Sequence, residues 1–296
     1  MNSQMEQCEL CPRRCKADRL NGRGACGSGA LVRAARAALH FGEEPCISGK
    51  EGSGTVFFSG CSLRCAFCQN QVISQEGYGR DLTARELAEV FRRLEDAGAN
   101  NLNLVTGTHF AEQIAEALCI YRPKIPVLWN SSGYERPETV RMLSEFVDVW
   151  LPDLKYADPL LAEKLSGARD YPEYAFDAVG EMLDLSGNPR FDGQGHITGG
   201  VLIRHLVLPL HLKNTAAVLE RIAERFGTEV WISLLFQYTP VREVPGFPEL
   251  SRPLTRRERE RAEEKLYSLG FHNGFVQERE SAGTGMIPDF DLTGLV

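Results

Sequence analysis

The sequence contains no apolar run approaching the roughly 18 residues that a membrane span requires. Its first ten residues, MNSQMEQCEL, hold no basic stretch followed by an apolar one, so no secretory leader is read there. A cytoplasmic protein with no membrane partner is the expectation. Positive charge is also short. The 33 Lys and Arg stand against 40 Asp and Glu, a net charge of −7, which argues against general nucleic-acid binding. Internal repeats beyond a β–α alternation are missing. Cysteine is nearly missing after residue 68, where only Cys119 remains.

What is present narrows the field further. Leu, Ile, Val and Phe are plentiful, which excludes wholesale disorder. A chain of 296 residues fits two domains, or one domain of the α/β-barrel kind. Nine cysteines cannot all pair, and eight of them (Cys8, Cys11, Cys15, Cys26, Cys46, Cys61, Cys65 and Cys68) crowd the first quarter. Disulfide scaffolds are short and secreted. In a reducing compartment, such clusters point instead to metal ligation or thiol chemistry.

From residue 54 onward, apolar strand patterns alternate with helical ones. Strands are expected at 55–59, 101–105, 127–130, 147–151, 201–207 and 229–235. Most are continuous apolar runs, as for strands covered on both faces. Thr83-Ala-Arg-Glu86 and Thr255-Arg-Arg-Glu258 read as capping boxes, and Asp158-Pro159 as an N-cap with proline at the first helical position. Leu87, Val90, Phe91 and Leu94 follow the first box on one helical face. The mixed-sign run 256–265 reads as a solvated helix face. Six β–α units imply an α/β fold with a parallel sheet, either an open partial barrel or a doubly wound sheet. Ligands then belong at the C-terminal strand ends. Residues 1–50 show no clear strand and read as a small Cys-rich, metal-stapled segment ahead of the main unit at 51–296. The stretch 187–200 (GNPRFDGQGHITGG) reads as an exposed loop.

Cys61-Ser-Leu-Arg-Cys65-Ala-Phe67-Cys68 follows directly after the first of the six strands. A closed iron–sulfur site takes four cysteines, whereas C-x3-C-x2-C supplies three and leaves one iron open. A structural zinc site that borrows a histidine is the competing reading. The loop resembles the radical SAM superfamily motif in both spacing and the aromatic before the last cysteine. The resemblance implies a partial (β/α)6 barrel and a [4Fe–4S] cluster on Cys61, Cys65 and Cys68, with Phe67 beside the adenine of S-adenosylmethionine (SAM). It implies reductive cleavage of SAM to methionine and a 5′-deoxyadenosyl radical that abstracts a hydrogen atom.

The string Gly52–Cys61 with Cys68-Gln69-Asn70 resembles the pyruvate formate-lyase activating enzyme branch, and the likeness runs from Cys8 to Gln277-Glu278. Asp153-Leu154-Lys155 is similar to that branch's Asp-Leu-Lys motif, which implies roles for Asp153 and Lys155 at SAM. Where that branch has Gly-Gly-Glu for the SAM amine, this chain has Thr106-Gly107-Thr108-His109, whose carbonyls and hydroxyls can accept from an amine. Asn130-Ser131-Ser132-Gly133 resembles the polar turn of the SAM site. Either Arg204 or His205 can face the pocket, since strand neighbours point opposite ways; Arg204 is favoured for SAM and His205 as a satisfied buried histidine. A glycyl-radical enzyme or other protein is the implied substrate, with a flavodoxin or ferredoxin as electron donor and an anaerobic setting. Radical modification of another protein, peptide or small molecule is the second reading. A cluster protein for electron transfer or structure is the reading from a different class.

Cys8, Cys11, Cys15 and Cys26 supply four soft ligands within a short span, turned by Pro12, Gly22, Gly24 and Gly27. Structural zinc, an auxiliary iron–sulfur cluster and partly free thiols all remain open. Arg13, Arg14, Arg19 and Arg23 offset thiolate charge or face a partner. Cys46 and Cys119 are expected to be ordinary buried thiols, and His40 a packing or capping residue.

Overall fold

The computed structural model describes residues 5–277 and 288–295; Glu278 lies outside them. Among the described residues ten strands form the sheet: β1 (Val32–His40), β2 (Ser53–Phe58), β3 (Arg80–Leu82), β4 (Leu102–Val105), β5 (Val127–Ser131), β6 (Val149–Pro152), β7 (Arg190–Phe191), β8 (Ile197–Leu206), β9 (Trp231–Leu235) and β10 (Gly274–Val276). Their order is β10-β9-β8-β6-β5-β4-β2-β1-β3, with β7 paired to β8. From β2 to β10 along that order, neighbours run parallel; β1 joins β2 and β3 antiparallel. The six expected strands are β2, β4, β5, β6, β8 and β9, each within a few residues. This mostly parallel sheet is the partial barrel.

The helices that cover it begin where local chemistry starts them. They are α1 (Ala84–Asp96), α2 (Ala111–Ile120), α3 (Pro137–Leu143), α4 (Pro159–Ser166), α5 (Tyr171–Ser186), α6 (Leu212–Phe226) and α7 (Arg256–Ser268). Both capping boxes form completely, at Thr83 with Glu86 and at Thr255 with Glu258. Asp158 accepts from the Leu160 N–H at the start of α4. Leu87, Val90, Phe91 and Leu94 of α1 are buried as a stripe against the sheet. Helix α7 buries Ala262 and Leu266 and turns most of its charge run outward. Among the described residues no helix is long and apolar enough to cross a membrane.

Three expectations change. The first 50 residues do contain a strand, and β1 belongs to the main sheet. Its sequence, VRAARAALH, is rich in Ala and Arg, weak strand formers, and a register shift between Ala34 and Arg36 breaks the period-two pattern. The stretch 187–200 is partly a hairpin, with β7 paired to the start of β8. Cys119 is exposed rather than buried, because α2 turns Ile114, Ala117 and Leu118 inward and leaves Cys119 off that face.

The segment after β1 fills the barrel lumen. A helical turn at Pro45–Ser48 buries Cys46 and Ile47 against Leu128, Val149, Leu151, Ile197 and Leu202. Asn101 Nδ2 donates to the Ile47 carbonyl at 2.8 Å and Asn100 Nδ2 to that of Ser48 at 2.7 Å. Cys46 is thus an ordinary buried thiol that closes one end of the barrel. The other end, where the parallel strands finish, stays open.

Candidate active site

A cavity of about 240 Å³ lies at the open end. Cys61, Cys65, Phe67 and Cys68 line it from the loop after β2, Thr106 from the turn after β4, and Asn130 and Ser131 from β5. Asp153 and Lys155 enter after β6, Arg204 from β8, and Gln237 and Tyr238 after β9. The structure therefore brings most of the anticipated residues into one place, although they span much of the chain.

The three thiols are held by short local contacts. The Leu63 N–H lies 3.4 Å from Cys61 Sγ, the Ser166 hydroxyl donates to Cys65 Sγ at 3.0 Å, and Cys68 Sγ and Ser74 Oγ stand 3.3 Å apart. Burial pushes the Cys61 thiol up to about 12 and that of Cys65 up to about 11. As bare side chains both stay protonated; bound iron would supply the positive charge that deprotonates a ligating thiol. Three soft donors facing a cavity larger than an ion fit an open iron–sulfur cluster with room for a small molecule. Phe67 and Tyr238 meet edge to face, ring centroids 6.4 Å apart.

In the same cavity, Lys155 pairs with Asp153. Burial alone would pull the Lys155 ammonium down, but Asp153, Cys65 and Tyr171 outweigh it and hold it above the usual lysine value. The Tyr171 hydroxyl fixes this turn. It accepts from the Lys155 N–H at 2.9 Å and lies 2.6 Å from the Asp153 carbonyl and 2.8 Å from that of Ser132. Gly133 makes the close packing possible: its φ is +72°, and a Cβ there would stand 2.4 Å from the Asp153 carbonyl oxygen.

The turn after β4 divides its residues. Thr106 lines the cavity with φ +61°, a strained setting for a β-branched residue. Gly107 and Thr108 lie behind the cavity wall. A Cβ on Gly107 would stand 2.8 Å from the Trp129 ring, and the Thr108 hydroxyl donates to Glu135 Oε1 at 2.7 Å. Trp129 Nε1 donates to the same oxygen at 2.7 Å. His109 is buried, faces the Ser59 carbonyl at 2.8 Å and is held down to about 4 by burial.

Arg204 is not a free cation. Its Nε donates to Glu44 Oε1 at 3.0 Å, and its terminal nitrogen pairs with Glu43 Oε2 at 2.6 Å and with Glu44. Burial alone would raise the Glu44 carboxyl; the Arg204 guanidinium outweighs it and holds the group below its ordinary value. Glu43 also accepts from Asn103 at 3.2 Å and Asn130 at 3.3 Å. His205 points the other way, with Nδ1 2.6 Å from the Leu154 carbonyl and Nε2 3.0 Å from Thr215 Oγ1. It is a satisfied buried histidine.

Two lining residues, Glu43 and Pro288, carry no local sequence signal, and Ser132 joins them from the expected polar turn. His40 packs edge to face on Phe57 at 5.7 Å, and Phe57 meets Phe290 at the same distance. Asn70 lines the cavity, and its buried side-chain oxygen has no hydrogen-bond partner. The Cys68-Gln69-Asn70 string could have marked it.

The N-terminal cysteines sit against this loop. Cys8, Cys11 and Cys26 are buried and Cys15 is exposed. Burial pushes the Cys11 thiol up to about 12, and the charges of Cys26, Cys8 and Cys15 add to this. The Cys61 N–H donates to the Cys26 carbonyl at 3.2 Å. Arg13 donates to the Ser62 carbonyl at 2.8 Å and to that of Gly167 at 2.6 Å, and buried Arg19 to that of His109 at 2.5 Å. Two of the expected rim arginines therefore turn inward; Arg14 and Arg23 stay exposed.

Comparison with known proteins agrees with this architecture. Residues 55–200 match the model of the radical SAM superfamily. An uncharacterised protein of Methanocaldococcus jannaschii is 31% identical over 267 residues, covering 87% of this chain and 73% of that protein. The crystal structure of SuiB from Streptococcus suis superposes with a TM-score of 0.51 at 13% identity, over 80% of this chain. This chain spans about half of that structure, 50% of its length, and the likeness is one of fold. The motif-bearing loop at the end of β2, the strand order and these matches agree: the chain belongs to the radical SAM superfamily.

Proposed function

We propose that the chain cleaves SAM reductively at a [4Fe–4S] cluster held by Cys61, Cys65 and Cys68, and that it acts as an activase-like enzyme on a backbone glycine of a partner protein. The observation that carries this reading is the convergence of the three thiols and the Asp153–Lys155 pair on one cavity. When bound, the cluster supplies the electron that breaks the sulfonium bond and so yields the radical for hydrogen-atom abstraction.

The side chains bind and orient. Lys155 stays protonated and suits the SAM carboxylate, with Asp153 fixing its direction. Phe67 offers its ring to the adenine, and Tyr238 braces that ring from the edge. Thr106, Asn130 and Ser131 line the polar wall, where carbonyls and hydroxyls accept from the SAM amine. Gly107 and Thr108 support that wall from behind. Arg204 acts through Glu43, which it holds at the cavity floor. A flavodoxin or ferredoxin is the electron donor in this reading, and Cys8, Cys11, Cys15 and Cys26 form a second metal centre.

Anaerobic reconstitution with iron and sulfide, followed by reduction, tests the cofactor assignment. Adding SAM should change the EPR signal of the reduced cluster, and an unchanged signal would count against an open iron. Incubation with a glycyl-radical enzyme tests the finer assignment. A glycine-centred EPR signal is expected there; SAM cleavage without it would remove the glycyl role and keep the radical chemistry.

A further inference from the structure

On the radical reading of the Cys61–Cys68 loop, we infer that Ser166 is a positioning residue that acts through Cys65. Its hydroxyl, oriented by Tyr156, donates to the Cys65 thiolate and makes the bound cluster easier to reduce by one electron.

Helix α4 ends against Cys65. A helix leaves its last carbonyls unpaired, and here they take N–H groups of the loop on both sides of that cysteine. The Ser166 carbonyl accepts from the Arg64 N–H at 3.2 Å, and the Leu165 carbonyl from the Ala66 N–H at 2.8 Å. Gly167 caps the helix at φ +63°, and its carbonyl accepts from Arg13 at 2.6 Å. From the far side, Gln75 Nε2 donates to the Cys65 carbonyl at 3.0 Å. The backbone around Cys65 is thus clamped, and its sulfur stands 3.0 Å from Ser166 Oγ. The polar contacts at the other two sulfurs are longer, 3.4 Å from the Leu63 N–H to Cys61 and 3.3 Å between Ser74 and Cys68.

Counting hydrogens fixes the direction of the contact. A thiolate bound to iron carries no proton and can only accept. Ser166 has one hydroxyl proton, so that proton points at the Cys65 sulfur. The Tyr156 hydroxyl lies 2.7 Å from Ser166 Oγ. With the serine proton already engaged, Tyr156 donates to Ser166. Both side chains are fully buried and lie behind the cavity wall, so they reach the site through Cys65. Tyr156 follows Lys155 directly. One turn after β6 therefore supplies a cation to the cavity and this hydroxyl to the buried side. Tyr171 braces the Tyr156 ring edge to face, centroids 5.3 Å apart.

The sign of the effect follows from charge. The C-terminal end of a helix carries partial negative charge, which by itself opposes a further electron near Cys65. The Ser166 O–H places a partial positive charge between that end and the sulfur. Reduction adds one electron from an external low-potential one-electron reductant, with no proton transfer and no bond formed or broken. The more negative state gains more from the O–H, so the hydroxyl raises the reduction potential.

An EPR-monitored redox titration of the reconstituted protein, without SAM, tests this. Wild type, Ser166→Ala and Tyr156→Phe are compared, each with its iron content measured. At a fixed potential, Ser166→Ala should shift the ratio of reduced to oxidised cluster about tenfold towards oxidised, a midpoint about 59 mV more negative for a one-electron couple. Tyr156→Phe should move the midpoint the same way by a smaller amount. A merely structural role would lower iron content or thermal stability and leave the midpoint of the loaded cluster in place. Unchanged or more positive midpoints in both loaded variants would overturn the inference. If Ser166→Ala takes up no iron, Tyr156→Phe decides alone, with a lowered midpoint in support and an unchanged one against. A wild type that binds no cluster would overturn the radical reading and this inference with it. A loaded wild type whose midpoint the variants share removes the inference and leaves that reading standing.

Discussion

Thr108 donates its hydroxyl to Glu135 at 2.7 Å, deep behind the cavity wall, and that single carboxylate oxygen also takes the Trp129 indole N–H. Glu135 thus ties the turn after β4 to β5, and Thr106 is held at the cavity in its strained conformation between them. Glu135→Ala leaves two buried donors unpaired and should cost about 2–4 kcal/mol in urea unfolding. Burial raises the Glu135 carboxyl above its ordinary 4.5, with the Thr108 and Trp129 hydrogen bonds opposing. A raised acid binds more protons folded than unfolded. Its contribution to stability therefore falls as pH rises from about 4.5 through the folded value. Glu135→Gln should flatten that slope in stability measured against pH.

Arg204 and Glu44 form a buried pair in which each neutralises the other. Arg204→Met should destabilise by about 3–5 kcal/mol, because it strands a carboxylate among apolar lumen residues. Denaturant unfolding at pH 7 measures this. Arg204→Lys should recover only part of it, since an ammonium cannot reproduce the fork that meets Glu44 and Glu43.

Gly60→Ala places a methyl 2.3 Å from Ser28 Oγ and 2.8 Å from the Cys26 carbonyl, at a φ that disfavours alanine. The expected result is a loss of about 1–3 kcal/mol and weaker iron uptake by the loop. Gly27→Ala also has a positive φ but nothing within 4 Å of the added carbon, so it controls for backbone strain alone. Thermal melts and iron content of the two variants separate collision from strain.

The Glu258 carboxyl is held down to about 2, first by the Arg252 guanidinium and then by Thr255 and Leu210 N–H groups, against burial. A lowered acid stabilises the fold above its unfolded value and loses that contribution as pH falls through the folded one. Acid unfolding of wild type should therefore show a component extending down toward pH 2, and Glu258→Gln should lack it. Circular dichroism titration of both proteins is the check.

The parallel half of the sheet was legible in the sequence because its strands are continuous apolar runs with capped helices between them. Thr83, Asp158 and Thr255 all cap as their spacing predicts. The cysteine loop was legible for the same reason: its three cysteines are local in sequence. Strand β1 was not, since alanines and a bulge blur its pattern. Glu43 escaped notice because its partners Asn103, Asn130 and Arg204 are brought together only by tertiary folding. Arg204 lines the cavity, but two glutamates distant in sequence engage its charge, which no local pattern around Arg204 signals. Thr106-Gly107-Thr108 shows the same limit in one turn, as only Thr106 lines the cavity.

Lys155 should weaken SAM binding when removed without disturbing the cluster. Lys155→Met is expected to raise the Kd for SAM about tenfold or more, as for the loss of a charge-assisted hydrogen bond, with iron content unchanged. Equilibrium binding to the reconstituted protein, alongside iron analysis, measures both.

The central claim is that Cys61, Cys65 and Cys68 build an open cluster that cleaves SAM. Its most direct test is the yield of 5′-deoxyadenosine from anaerobically reconstituted, reduced protein with SAM, in wild type and in Cys65→Ala. Wild type should form 5′-deoxyadenosine and methionine in equal amounts, and Cys65→Ala should form neither. No product from wild type, or equal product from both, would contradict the claim.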